Sequence, residues 1–261
     1  MADPGEGLNP DGTIRSSASI ETIPDRFRPV LDAAGKAIRV SAPSASIYAY
    51  GSVTTGEATS PGSDVDILTI GLDGVSAAQI SAQLSAQFRD LCRAVEIAAA
   101  SPSDLAGDSD EAYGFRIFLH HYCVHLSGAD LDTATMGFQG DRRAARGFNG
   151  DIGDHHARWR HRDGSTDPAE FGRRIARKTL LAVAGLASVH DATWTTDRRR
   201  AARRWSELHP SLRNELDELL AWADGTVYAH SVAVDRSING IIAKIVDQFA
   251  SDIGLWITPT S

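Results

Sequence analysis

The pattern that decides the fold lies in residues 48–71, YAYGSVTTGEATSPGSDVDILTIG. A short β-prone run ends at Gly51-Ser52, and after a gap of eleven residues Asp64 and Asp66 open a second apolar run. Aromatic and branched residues that stop at a glycine predict a strand in each run. Because alternate residues of a strand point to the same face, Asp64 and Asp66 are expected to project together.

Two carboxylates on one face of a strand repel each other unless a cation lies between them. Mg²⁺ suits such a site because it prefers oxygen ligands and keeps coordination positions open for substrate phosphates. The absent side chain of Gly51 allows backbone N–H groups and the Ser52 hydroxyl to approach a phosphate closely. The pattern therefore predicts a site for a nucleoside triphosphate and Mg²⁺, and a polar strand end without a metal is the alternative.

This arrangement resembles the signature of the DNA polymerase β-like nucleotidyltransferase superfamily, in which Gly-Ser ends one strand and Asp-x-Asp opens the next. The superfamily places a third carboxylate on a later neighbouring strand, and Glu96 is the best match here. The segment Arg93-Ala94-Val95-Glu96 looks like the Arg-x-Val-Glu strand of the streptomycin/spectinomycin adenylyltransferase branch. The resemblance covers residues 46–105, and an exposed strand carboxylate is the alternative for Glu96.

The resemblance implies that Asp64 and Asp66 hold one or two Mg²⁺ ions. Glu96 would either help to bind the metal or accept the proton of the attacking hydroxyl group as general base. Gly51 and Ser52 would bind the phosphates of ATP. The implied reaction is the transfer of a nucleotidyl group by attack on the α-phosphorus of the triphosphate.

Two basic residues in the C-terminal part are candidates for a further contact with the triphosphate. In two-domain antibiotic nucleotidyltransferases, which this plan resembles, basic residues on C-terminal helices grip that group. Arg174 and Lys178 are four residues apart and share one face of a predicted helix. A solvated basic helix face is the alternative for both residues.

The expected fold class is α+β, with a small mixed-sheet nucleotidyltransferase core followed by a C-terminal helical bundle. The run of residues at 113–126 is apolar enough for a helix or a strand, and a helix is the favoured interpretation. The predicted segments are a disordered tail at 1–24, a nucleotidyltransferase domain at 25–136, a Gly-rich connection at 137–167 and a helical domain at 168–261.

Composition excludes several classes of protein. Hydrophobic residues make up 42% of the 261 and charged residues 23%, which is typical of a globular chain. No apolar run is long enough for a membrane span. The two cysteines have no CxxC spacing, so a disulfide framework and a zinc site are not expected. With a polar, acidic N-terminus unlike a signal peptide, these features predict a cytoplasmic protein.

The charge is unevenly distributed along the chain. Residues 141–204 carry a net charge of +7, whereas the rest carries −15. A basic second part indicates contact with phosphates, and solvated helix faces are the alternative. The basic run at 197–205 could bind RNA, although a solvated helix with Trp205 packed inward is the more common structure for such a run. The histidines at 155, 156 and 161 lack the strict spacing of a metal site.

Three functions are compatible with these observations. The first is an Mg²⁺-dependent transfer of AMP from ATP to a hydroxyl group of a small molecule, with an aminoglycoside antibiotic as the acceptor that the resemblance suggests. The second is a toxin-like nucleotidyltransferase that modifies tRNA or a protein. The third is a non-catalytic nucleotide-binding protein, which has no need of clustered carboxylates. The sequence favours the first.

Overall fold

The computed structural model describes residues 6–162 and 166–256. It divides into two compact units. The sheet unit comprises Arg15–Gly137, and the helical unit joins the described residues up to Ile14 to those from Phe138 onward. The mixed sheet and the largely helical C-terminal region confirm the predicted α+β class.

The sheet unit contains four strands and three α-helices. In chain order they are α1 (Arg28–Ser41), β1 (Ser46–Tyr50), β2 (Val65–Ile70), α2 (Gly74–Gln87), β3 (Val95–Ala100), α3 (Asp110–Tyr122) and β4 (Cys123–Ser127). The strand order is β3-β2-β1-β4. β1 is antiparallel to both of its neighbours, whereas β2 and β3 are parallel.

The two faces of this sheet are covered differently. On the back face, Ile47, Ile67 and Val95 belong to the apolar core that includes the buried faces of α1 and α2. On the front face, Tyr48 and Leu68 pack with residues of α3. The alternation of side chains along each strand therefore leaves every second residue of β2 and β3 on the front face.

The run at 113–126 differs from the expected single helix. It forms α3 up to Tyr122 and then continues as β4, with Cys123 opposite Tyr50 of β1. Val124 is buried and joins the core on the back face. The backbone hydrogen bonds offered by the edge of β1 explain the switch to a strand, because the run is apolar enough for either structure.

The predicted tail and connection also differ from expectation. Residues 1–5 lie outside the described part, but within 6–24 Ile14 and Ile23 are only 1% and 3% exposed. The predicted Gly-rich connection contains α4 (Arg142–Asn149) and α5 (Ile152–Arg160), while 163–165 lie outside the described residues. The first of these helices packs inside the helical unit through buried small residues such as Ala144.

The helical unit is organised around one long helix, α6 (Pro168–Asp191). The remaining helices are α7 (Arg198–Leu208), α8 (Arg213–Asp224), α9 (Ser231–Ser237) and α10 (Ala243–Asp252), and a π-helical turn, Ile238–Ile242, joins the last two. α6 begins where Asp167 accepts a hydrogen bond from the backbone of Glu170 and Pro168 occupies the first turn. It contacts α4, α7, α8 and α10.

None of the helices within 6–162 and 166–256 has the length and apolar character needed to cross a membrane.

A buried histidine in the sheet unit makes its stability depend on pH. His121 is 2% exposed, and its Nδ1 lies 2.9 Å from the Ser16 hydroxyl. Burial lowers the pKa of His121 from 6.5 to about 4, helped by the neighbouring His120 and opposed by the charge of Asp132. Between these two pKa values the unfolded chain binds a proton that the folded chain excludes, so stability falls as the pH drops.

We therefore expect the free energy of unfolding of the wild type to fall by about 2 kcal/mol between roughly pH 7.5 and pH 5 through this histidine. His121→Gln keeps a hydrogen-bonding group and does not titrate, so its decrease over the same interval should be smaller by that amount. Denaturant titrations of both proteins at the two pH values measure the difference. Equal decreases would show that His121 is not the source.

Candidate active site

Three neighbouring strands of the sheet bring polar side chains into one row. Asp66 of β2 lies opposite Glu96 of β3 on one side and Tyr50 of β1 on the other. Residues directly opposite each other share a face, and adjacent strands are about 4.8 Å apart. The two carboxylates are therefore neighbours on the front face, on neighbouring strands as the resemblance implied. Asp66 is half-buried, and Glu96 is exposed.

Gly51 lies directly against the carboxylate of Asp66. Its φ angle is +76°, and a Cβ atom added there would overlap Asp66 Oδ2. Glycine is required at this turn for both reasons, since other residues rarely adopt a positive φ and any side chain would displace the carboxylate. The missing side chain thus makes room for Asp66 itself, in addition to the phosphate approach that the sequence suggested.

The turn that follows Gly51 is held by its own hydrogen bonds. The backbone N–H groups of Glu57 and Ala58 both donate to the Ser52 carbonyl at 3.0 Å, and the Thr54 hydroxyl donates to the Gly51 carbonyl at 2.9 Å. These bonds fix the half-buried Ser52 in a 3₁₀ turn, Gly51–Val53, at the end of β1. The two predicted phosphate-binding residues therefore lie beside Asp66 in a defined conformation.

Asp64 precedes β2 and is paired with a cation. Arg93 Nε donates to Asp64 Oδ1 at 2.9 Å, and Arg93 Nη2 donates to Asp64 Oδ2. This hydrogen bonding raises the pKa of Arg93, and the charges of Asp64, Glu96 and Asp66 contribute to the same increase. Arg93 is thus electrostatically coupled to all three predicted catalytic carboxylates. Arg93 belongs to the Arg-x-Val-Glu motif, but its pairing with Asp64 was not predicted from the sequence.

Tyr50 is a site residue that sequence reasoning missed. Burial raises its pKa well above the ordinary value of 10, and the negative charges of Asp66 and Glu96 raise it further. The ring packs edge-on against Phe118 of α3, with ring centroids 5.1 Å apart. The phenol is therefore neutral at physiological pH and forms an uncharged wall beside the carboxylates. Its position directly before Gly51 was the signal that could have identified it.

The carboxylates at this site have the chemistry that Mg²⁺ requires of its ligands. Asp66 and Glu96 offer neighbouring carboxylate oxygens, and the overlap at Gly51 shows that the backbone leaves space for the Asp66 carboxylate. In the described part of the chain, no three His, Cys, Asp or Glu side chains converge on one metal position. Mg²⁺ commonly binds through one or two carboxylates and completes its shell with water and substrate phosphates. The residues fit such an ion, with Asp64 as a further donor close by.

The two basic residues predicted to bind the triphosphate lie in the helical unit. Lys178 Nζ is 2.6 Å from Asp151 Oδ1, and His155 Nε2 is 3.2 Å from the other oxygen of the same carboxylate. These partners lower the pKa of Asp151 although its burial acts in the opposite direction. The exposed Arg174 places its guanidinium 5.3 Å from the ring centroid of Phe171. Both basic residues thus have local contacts within their own unit.

The other motifs considered from sequence also have local partners. Trp205 is buried, and arginines of the run at 197–205 form ion pairs such as Arg199 with Asp224 at 2.6 Å. His155 pairs with Asp151, and His156 lies 3.0 Å from the carbonyl of Ile238. The basic run is therefore part of a helix whose aromatic residue packs inward, and its ion pairs favour this structure over an RNA-binding face. The contacts of the two histidines favour a structural role over a metal site.

Residues 35–104 match the family model described as a nucleotidyltransferase domain. The matched segment begins within α1, ends just beyond β3, and contains Gly51, Ser52, Asp64, Asp66 and Glu96. No match to this sequence was found among curated proteins. The family match supports assignment of this segment to the DNA polymerase β-like nucleotidyltransferase superfamily, as its motif indicated.

Proposed function

We propose that this protein is an Mg²⁺-dependent nucleotidyltransferase that transfers AMP from ATP to a hydroxyl group of a small-molecule acceptor. The observation that carries the proposal is the register of β2 and β3, which makes Asp66 and Glu96 direct neighbours beside the Gly51 turn. Carboxylates that lie together beside the glycine turn at the end of β1 suit a triphosphate and its divalent cation.

The chemistry follows from the roles of these side chains. Mg²⁺, when bound, would be held by Asp64 and Asp66 and would neutralise charge on the phosphates. The Gly51–Ser52 turn would approach the phosphates closely and orient them. Glu96 would accept the proton of the acceptor hydroxyl as its oxygen bonds to the α-phosphorus. The bond from that phosphorus to the bridging oxygen breaks, and pyrophosphate leaves with the electron pair.

An aminoglycoside is the acceptor class that we favour. The sheet unit carries 15 acidic residues against 8 basic ones, which suits a polycation. Two of its acidic residues already have local roles, since Asp130 accepts a hydrogen bond from Tyr48 at 3.1 Å and Asp132 pairs with His120 at 2.7 Å. An enzyme that adenylylates such an antibiotic in the cell would confer resistance to it.

Pyrophosphate release tests this function directly. The purified protein is incubated with ATP and Mg²⁺, with and without members of the aminoglycoside class, and Asp66→Asn serves as the inactive control. Release that requires both the acceptor and Asp66 supports the proposal. Transfer of label from α-labelled ATP to tRNA or to a protein would instead favour the toxin-like alternative, and ATP binding with no transfer would favour a nucleotide-binding protein.

Glu96→Gln is expected to lower kcat by about 100-fold or more, the scale of general-base catalysis, while KM changes little. The substitution keeps the shape of the side chain and removes the basic oxygen. Steady-state kinetics and calorimetric titration with ATP and Mg²⁺ measure the two effects separately. Glu57→Gln, at an exposed position in the same unit, is the matched control. If the variant lost metal affinity in proportion to its turnover, Glu96 would be a metal ligand and not the base.

A further inference from the structure

The ion pair between Arg93 and Asp64 occupies both oxygens of a predicted metal ligand. The two donors of the guanidinium, Nε and Nη2, each meet a different oxygen of the Asp64 carboxylate. This fork geometry is the strongest pairing available to a carboxylate from a side chain. The Asp64 side chain is only 14% exposed, so the guanidinium covers the carboxylate on the side that it contacts.

The backbone around this pair is fixed, whereas the guanidinium is not enclosed. The Arg93 N–H donates to the Ser63 carbonyl at 3.0 Å, and the Val65 N–H donates to the Ala94 carbonyl at 2.9 Å. These bonds join the segments that lead into β2 and β3. The Arg93 side chain is 57% exposed, so its guanidinium can move into solvent without unpacking the core.

Arg93 also acts on the other two carboxylates of the site, Asp66 and Glu96. Its pKa is raised by Asp64 through hydrogen bonding and, at longer range, by the charges of Glu96 and Asp66. Neighbouring carboxylates repel one another unless positive charge is present. In the structure the Arg93 guanidinium supplies that positive charge. A divalent cation bound at the same place would reduce the repulsion between the carboxylates in the same way.

We infer that Arg93 is a positioning residue that neutralises Asp64 in the metal-free protein and is displaced from it when Mg²⁺ binds. The inference rests on the proposed function, because it takes Asp64 as a metal ligand. A divalent cation and a guanidinium on one carboxylate repel each other, so the two compete for Asp64. Loading of the site then requires the cation to replace an internal salt bridge, which weakens binding of the metal without nucleotide.

Arg93→Gln tests the competition in the 261-residue chain without nucleotide. An opposite charge beside a carboxylate changes its affinity for a competing cation by about ten-fold or more. The variant should therefore bind Mg²⁺ or Mn²⁺ about ten-fold more tightly than the wild type by calorimetric titration. Its melting temperature without metal should be lower than that of the wild type, and saturating Mn²⁺ should raise it by more.

Two further variants make the result specific. Arg89→Gln removes the same charge from an arginine that is 81% exposed and outside the carboxylate row, so its metal affinity should equal that of the wild type. Arg93→Lys keeps the charge and loses the fork, so its metal affinity should lie between those of the wild type and Arg93→Gln. This variant also provides the test if Arg93→Gln does not fold.

Unchanged or weaker metal binding by the Arg93 variants would overturn the inference and make Arg93 a support that holds Asp64 in place for the metal. The proposed function would survive that result if the wild type binds Mn²⁺ and Asp66→Asn does not. Failure of the wild type to bind a divalent cation, with or without ATP, would overturn both the inference and the proposed function.

Discussion

Asp66→Asn is expected to reduce nucleotidyl transfer by about 1,000-fold, which corresponds to about 4 kcal/mol of lost transition-state stabilisation. Asp66 is the central member of the row formed with Tyr50 and Glu96, and its carboxylate lies over Gly51. Asparagine has nearly the same shape but lacks the charge that a metal requires. Pyrophosphate release at saturating ATP and Mg²⁺ measures the loss.

The fold should survive this substitution. Asp66 faces the site and not the apolar core, and removal of one charge lessens the repulsion within the row. We expect a melting temperature equal to or slightly above that of the wild type in the absence of metal. Asp90→Asn, at a side chain that is 98% exposed, is the matched control and should retain full activity. Near-native turnover by Asp66→Asn would exclude this carboxylate as a metal ligand.

Gly51→Ala is expected to reduce turnover by about 100-fold, the scale of a displacement of about 1 Å at a catalytic group. The added methyl group would overlap Asp66 Oδ2 and push the carboxylate out of its position. The φ angle of +76° adds a cost of about 1–2 kcal/mol in stability, because alanine disfavours the left-handed region. Kinetics and denaturant unfolding of the same preparation measure both effects.

Gly35→Ala provides the comparison for this variant. Gly35 lies within α1, and an added Cβ there would meet no heavy atom within 4 Å. Alanine at such a helical position should stabilise the protein by about 0.5–1 kcal/mol and leave turnover unchanged. If both glycine variants had the same activity, the close approach of Gly51 to Asp66 would have no role in the reaction.

The carboxylate row could be predicted from the sequence because it depends on local rules. Glycine ends β1, Asp66 has a position fixed by the alternation along β2, and Glu96 occurs in a strand that the same rules identify. Alternation alone does not determine which strands pair with each other. The resemblance to a family predicted that the strand of Glu96 is a neighbour, and the register of β2 against β3, which places Asp66 opposite Glu96, was not predicted.

Features that depend on distant partners could not be predicted. The run that ends in β4 is apolar enough for helix or strand, and the edge of β1 decides between them by pairing Tyr50 with Cys123. α4 was not predicted because its buried face contains small residues such as Ala144 and Gly147. These residues do not produce the pattern of large apolar side chains by which an amphipathic helix is identified. The ion pair of Arg93 and Asp64 joins residues 29 positions apart, and neither residue alone indicates the other.

The position of β3 at the edge of the sheet has a consequence for the solubility of the protein. Its sequence, VEIAAA, contains a single charged residue, Glu96, and one side of the strand has no strand neighbour in the four-stranded sheet. On that side the Val95 and Ile97 N–H groups donate instead to the hydroxyls of Ser85 and Ser81 of α2, at 2.9 and 3.0 Å. An uncharged edge strand is a template for pairing with another chain, and a charge on it opposes such aggregation. Together with these serine contacts, the carboxylate proposed as the catalytic base would therefore also oppose the pairing of this edge with another chain, so selection for solubility and selection for catalysis would preserve the same residue.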